Sequence, residues 1–155
     1  MKSRFDTFCG LYCGACMIMK ANLNNTVNDL ASTWEMKAAG LKCHGCKTDT
    51  NYKHCADCEI KVCNQNQNLE SCHECNEFPC VKITDFNNDE KSHHSIILRN
   101  LKEIKKKGLT QWMEKQKIRW SCPECGQPFS WYEKNCEICN HELFSCEVEE
   151  KGLGK

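Results

Sequence analysis

The chain has little with which to build a conventional apolar core. Aromatic residues make up 8%, prolines number three and mean hydropathy is −0.66. The apolar fraction is 40%, but that figure counts 16 cysteines; without them about 30% remains. A lean domain of 155 residues calls for a covalent or metal staple. No run of about 18 apolar residues exists to span a bilayer. The start, Met-Lys-Ser-Arg-Phe-Asp, has no apolar stretch of the secretory kind. The expectation is a cytoplasmic protein without membrane contact. Charge of one sign is missing too, with 21 basic residues against 21 acidic ones. A general nucleic-acid binder leans basic.

Cysteine is what the chain has in excess. In a reducing compartment, repeated C-x2-C pairs are metal ligands rather than a disulfide framework. Metal binding deprotonates the thiols, so three four-thiolate zinc sites would bring the neutral chain to a charge of about −6. Two late pairs, Cys122/Cys125 and Cys136/Cys139, have zinc-ribbon spacing. Four soft ligands favour a closed tetrahedral Zn²⁺, and Gly126 permits the left-handed backbone after the first pair. Phe129 and Trp131 fall on one strand face that can cover this site. Cys146 is left over, read as a buried thiol.

Eleven further cysteines lie between Cys9 and Cys80. One arrangement places Cys43 and Cys46 with Cys58 and Cys63, and another places Cys9, Cys13 and Cys16 with Cys72, Cys75 and Cys80. His44, His54, His73 and His141 lie near these ligands, and one of them could complete a three-cysteine site. The count expected is two to four zinc ions, with three the best match.

Cys9-x3-Cys13-x2-Cys16 also has the spacing that holds an iron–sulfur cluster in radical S-adenosylmethionine enzymes. The chain lacks the βα repeat such enzymes need. A smaller iron–sulfur or thiol redox protein stays open as the alternative, because thiolates serve both metals.

Helical patterning is modest. Leu23, Val27, Leu30, Ala31, Trp34 and Ala38 predict a helix from about residue 15 to residue 39, stopped by Gly40. Residues 41–80 show little periodicity, and Phe86–Lys91 reads as a polar linker. Ser92 is expected to cap a helix through Lys107, with Ile97, Leu98, Leu101 and Ile104 inward and Gly108 as its stop. Thr110 is expected to cap a third helix bearing Trp112, and the last residues read as frayed. His93 and His94 read as solvated first-turn residues. The fold class expected is a small, metal-stabilised α+β protein. Its parts are a helix-supported Cys-rich region over 1–91, a helical connector over 92–119 and a zinc ribbon over 120–155.

Residues 99–119 carry a local basic excess of Arg99, Lys102, Lys105, Lys106, Lys107, Lys115, Lys117 and Arg119. Beside the ribbon's aromatics, Lys105, Lys106, Lys107, Lys117 and Arg119 make nucleic-acid contact a second alternative. No H-E-x-x-H string and no deaminase pattern is present. Closed four-cysteine sites lack the open coordination position that catalysis needs. The leading expectation is a non-catalytic interaction or adaptor module with a protein partner.

Four strings, Cys-Gly-Leu-Tyr-Cys-Gly-Ala-Cys (9–16), Cys-His-Gly-Cys (43–46), Cys-Glu-Ile-Lys-Val-Cys (58–63) and Glu-Ser-Cys-His-Glu-Cys-Asn-Glu-Phe-Pro-Cys (70–80), resemble the prokaryotic Cys-rich family called domain of unknown function thirty-seven ninety-five. The tail is similar as well, in Asn100-Leu101, Lys107-Gly108-Leu109, Trp112, Gln116 and Trp120-Ser-Cys-Pro-Glu-Cys-Gly126. The resemblance implies a presumed zinc-binding protein without an established activity. Cys55 is an addition to that pattern.

Overall fold

The computed structural model describes residues 3–154 as a mostly helical chain with very little strand. Eight α-helices follow in order: α1 Met17–Leu23, α2 Val27–Thr33, α3 Lys53–Ala56, α4 Glu59–Asn66, α5 Val81–Asn87, α6 Ile97–Lys107, α7 Leu109–Arg119 and α8 Cys146–Gly152. Among the described residues β pairing is confined to two isolated bridges, Ser121 with Pro128 and Asn135 with Glu142. The expected α+β class therefore reduces to helices plus two pinched turns.

The single helix expected over residues 15–39 is broken into α1 and α2. Asn25 adopts φ 58°, a left-handed conformation that asparagine tolerates and a continuing helix does not. Asn22 then bridges outward: its Nδ2 donates to Ile18 O and Leu41 O at 2.8 Å, and its Oδ1 accepts from Cys43 N at 3.1 Å. Local asparagine bonding outcompetes helix propagation here. The expected apolar stripe is only partly used, since Ala31 is buried while Leu23 and Trp34 are exposed.

Further along, the segment from 41 to 80 holds α3 and α4, and α5 runs into the expected linker. Ser92 does not cap a helix. It sits in a 3-10 turn, Ser92–His94, and its Oγ donates to Glu150 Oε2 at 2.6 Å. The helix proper begins at Ile97, with Ile97, Leu101 and Ile104 buried as the periodicity indicated. Gly108, at φ 85°, ends α6 and starts α7, so Thr110 is not the cap. The residues read as frayed are helical as far as Gly152, in α8, whose Glu149 pairs with Arg119 of α7, and Lys155 lies outside the described residues.

Three apolar clusters make up the interior. One joins Ile18, Met19, Ala31, Leu41 and Cys43. A second holds Phe8, Cys9, Ile60, Ile83, Ile97 and Leu101. The third crosses from the first motif to the C-terminal segment, through Tyr12, Ala15, Trp112, Trp120, Phe129 and Leu143. Polar links reinforce that crossing. Asn100 Nδ2 donates to Gly10 O at 2.9 Å, Trp131 N donates to Ala15 O at 3.0 Å, and Lys20 pairs with Glu133 and Glu137.

His93 is half-buried and His94 buried, rather than both being solvated. His93 stacks on Trp131, with ring centroids 4.3 Å apart, and its Nδ1 lies 2.8 Å from the Tyr132 hydroxyl. His94 is buried, with Nδ1 2.7 Å from Asp89 Oδ2. Burial, with His94 beside it, pushes His93 down to about 3. A histidine depressed in the folded state destabilises it in acid. Below about pH 6.5 the unfolded chain takes up a proton that the folded one refuses. The expected loss is about 1.4 kcal/mol at one pH unit below that point. Urea unfolding at pH 7.5 and 5.5 checks it: His93→Phe keeps a ring against Trp131 and loses less stability over that interval than the parent chain. Equal losses in the two proteins would refute the assignment.

Gly45, inside the Cys43–Cys46 turn, is at φ 120°, and a Cβ there would stand 2.0 Å from the Arg4 carbonyl oxygen. Gly45→Ala is expected to lower stability by more than about 1 kcal/mol in the same unfolding assay. Gly40→Ala, where a Cβ meets open space, changes it little.

Candidate metal centre

Each C-terminal cysteine pair is built by a short turn. In the first, Cys122 N donates to Gln127 O at 2.9 Å and Gly126 N to Cys122 O at 2.8 Å, with Gly126 at φ 75°. In the second, Cys136 N donates to His141 O at 2.8 Å and Asn140 N to Cys136 O at 2.9 Å. Asn140, at φ 59°, occupies the position of Gly126. The two turns face each other across the group, with Cys122 Sγ 3.5 Å from Cys139 Sγ and Cys125 Sγ 3.5 Å from Cys136 Sγ. All four sulfurs lie within 4.8 Å of one another. Zinc–sulfur bonds of about 2.3 Å in a tetrahedron place sulfurs about 3.8 Å apart. The group therefore has the size that one tetrahedral ion needs. Every cysteine in the chain is a free thiol, so no disulfide competes for these four.

Within the group the electrostatics favour thiolate at Cys136. Backbone N–H groups of Cys139 and Ile138 hold Cys136 down, to about 7. The His141 N–H acts the same way on Cys139, but burial and the three neighbouring thiols outweigh it. A lone thiolate is shared comfortably among four sulfurs, and further ionisation needs a cation in their midst. Phe129 covers the group from the interior, as the alternation indicated, and Trp131 is partly buried against His93. Cys146 is buried as expected, and burial pushes its thiol up to about 12.

The eleven N-terminal cysteines gather in part as expected, with Cys46 beside Cys58 and Cys72 beside Cys75 and Cys80, and in part otherwise. Cys13 and Cys16 pack against Cys43 in the first cluster. Cys55 joins them: burial, with Cys43 and Cys16 as nearest charged neighbours, pushes it up to about 12. Cys9 faces Cys46 and Cys58, while Cys13 borders both neighbourhoods, beside Cys16 and Cys43 and also beside Cys46 and Cys9. Cys63 stands with Cys72, Cys75 and Cys80 rather than with Cys43 and Cys46. Sequence spacing pairs near neighbours but cannot say which turn of α4 faces which loop. Of the nearby histidines, His141 lies 4.0 Å from Glu124, and His54 contacts the Tyr52 ring.

The basic segment is partly neutralised. Lys107 and Lys115 both pair with Glu103, and Arg119 pairs with Glu149. Lys105, Lys106 and Lys117 are exposed. Trp120 and Phe129 are buried, so the aromatic surface beside them comes down to Phe144 and Tyr132. Arg119 lies over both the Trp120 and Phe144 rings. A surface groove of about 920 Å³ runs between α7 and the first cysteine turn, lined by Ile118, Arg119, Phe129, Leu143 and Phe144. The more enclosed space among Tyr12, His93, Trp131 and Cys146 is about 10 Å³, room for one water.

Thiolate fraction governs alkylation. In the reduced, metal-free protein at neutral pH, iodoacetamide is expected to modify Cys136 before the buried Cys146, by at least tenfold, as followed by peptide mass spectrometry. Early loss of Cys146 would contradict the assignment.

Comparison with known proteins agrees with the cysteine pattern. Neither a curated protein nor a solved structure matches the chain. A family model described as "Protein of unknown function (DUF3795)" matches residues 5–85, which takes in Cys9 through Cys80 and more than half of the chain. The chain belongs to that family, whose Cys-rich segment forms its N-terminal half.

Proposed function

We propose that the protein is a zinc-binding, non-catalytic module. In this reading Cys122, Cys125, Cys136 and Cys139 hold one Zn²⁺ in a closed zinc ribbon, and the N-terminal cysteines hold further ions, two to four in all. The observation that carries it is the mutual approach of four sulfurs within 4.8 Å, at separations suited to a tetrahedral ion. A closed site stabilises structure, since binding free energy becomes folding free energy where no preformed site exists in the unfolded chain. It leaves no open position for substrate.

The role that suits such a body is presentation of a surface to a protein partner in the cytoplasm. Among the described residues no helix is long and apolar enough to cross a membrane. The exposed Ile118 and Phe144 beside the C-terminal group support an interaction role more than a reaction. An iron–sulfur role is the lesser reading, because Cys9 and Cys16 pack in different apolar clusters. Nucleic-acid binding through residues 99–119 is also the lesser reading, because acidic partners already engage Lys107, Lys115 and Arg119.

Zinc and iron per chain, measured on protein purified without oxygen, test this directly. The expected result is colourless protein with about three zinc ions, and Cys125→Ser with about one fewer. Iron with acid-labile sulfide, or a zinc count that Cys125→Ser leaves unchanged, would overturn the proposal.

A further inference from the structure

We propose that Cys63, Cys72, Cys75 and Cys80 hold a second zinc-class divalent cation, with the side-chain amide of Asn64 donating to the Cys72 thiolate. This deepens the zinc reading by naming a ligand set inside the family-matched segment, and it rests on residues separate from the C-terminal group.

Three separate elements deliver the four sulfurs. Cys63 lies in α4, one residue before Asn64 and four before Gln67. Cys72 opens a 3-10 turn, Cys72–Glu74, in which Cys75 N donates to Cys72 O at 3.2 Å. That turn is pinned from outside: Cys72 N donates to Phe8 O at 2.9 Å, and Ser71 Oγ donates to the same oxygen at 3.2 Å. Cys80 caps α5, which Ile83 anchors in the second apolar cluster beside Ile97 and Leu101. The loop and both helices are thus fixed to one core, with Cys72 and Cys80 at its margin.

The side chains between them are chosen for sulfur. Gln67 Nε2 donates to Cys63 Sγ at 3.2 Å, and Gln67 Oε1 lies 3.9 Å from Cys75 Sγ, so one amide spans two of the thiols. Asn64 is 2% exposed. Its Nδ2 donates to Ile60 O at 2.8 Å and to Cys72 Sγ at 3.1 Å. Its Oδ1 is buried without a hydrogen-bond partner. Burying an amide costs free energy unless its groups are well bonded. A neutral thiol is a weak acceptor and returns little, whereas a thiolate is a strong one. A buried thiolate in turn needs a cation. Asn64 therefore fits the position of a donor supporting a metal-bound sulfur, the kind of outer contact that orients ligands and tunes affinity.

These four sulfurs stand wider apart than the C-terminal four, which alone among the described residues form a group of three or more within 4.8 Å. Gln67 is exposed, so it is free to swing out as an ion draws Cys63 and Cys75 inward. Ligand softness sets the class of ion: four thiolates select Zn²⁺ over Mg²⁺ or Ca²⁺. Two protein charges beyond the ion's own remain, which N–H donors of the Asn64 kind offset.

The test uses the full chain and zinc itself. Cys63→Ser and Cys80→Ser are each expected to bind one zinc fewer than the parent and to keep the ion lost in Cys125→Ser. Asn64→Leu, which preserves bulk, is expected to keep the full count but release one ion to a competing chelator 10- to 100-fold more readily. That variant keeps the proposal falsifiable should a cysteine variant misfold. Full zinc retention in both Cys63→Ser and Cys80→Ser, or unchanged affinity in Asn64→Leu, would overturn it. Loss on Cys58→Ser with retention on Cys63→Ser would assign the ion to the Cys9, Cys46 and Cys58 neighbourhood instead and also overturn it. Failure of the C-terminal reading shows separately, as an unchanged count in Cys125→Ser.

Discussion

Thiolate charge cannot be buried alone, and that constraint shapes nearly everything in this molecule. Ionising several neighbouring thiols inside a protein costs far more than a few hydrogen bonds return, unless a cation sits among them. Sixteen cysteines in a chain with few apolar side chains therefore do two jobs. As neutral thiols they fill small volumes in all three apolar clusters. As potential thiolates they gather where loops and helix ends converge. The C-terminal group shows the second job most fully, with two turns of matching geometry bringing four sulfurs face to face.

The rest of the architecture serves to hold loops that regular secondary structure does not hold. Asparagine side chains do much of this. Asn22 ties α1 to the start of the Cys43 loop, Asn64 ties α4 to the Cys72 turn, and Asn100 ties α6 to Gly10. Each satisfies a backbone or sulfur group that would otherwise be left unpaired inside. A short amide suits this work because it offers a donor and an acceptor on a stiff stem. Tyr12 adds an apolar link, with ring contacts to Phe5 and Trp112 that bind the first cysteine motif to α7.

Organisation along the chain is accordingly less segmental than its composition suggests. The first motif packs with α7 and with the C-terminal turns, and Lys20 forms ion pairs with Glu133 and Glu137. The basic helices face both ways: Glu103 gathers two lysines, while Arg119 bridges to α8. The histidine pair, which spacing alone marks as solvent-facing, becomes part of the joint between α5, the 3-10 turn at Ser92 and Trp131.

Local chemistry was legible in the residues themselves. Paired cysteines at two-residue spacing, with glycine or asparagine after the second, dictate tight turns. The C-terminal group formed as that spacing indicated, because both pairs lie close in the chain and a short hairpin suffices. The inward stripe of α6 and the stop at Gly108 were legible for the same reason, since they depend on one helical period and one backbone conformation. What lies beyond one element was not. The tie from α1 to the Cys43 loop turns on Asn22 reaching Leu41 and Cys43, a long-range bond. The stacking of His93 depends on Trp131, thirty-eight residues away. Partnership among the eleven N-terminal cysteines depends on which face of α4 meets the Cys72 turn, and Asn64 reveals it only once the chain is folded. Sequence determined which residues can ligate, because ligand chemistry is a property of the side chain. Tertiary structure alone decided which of them meet, because that is a property of how the helices pack.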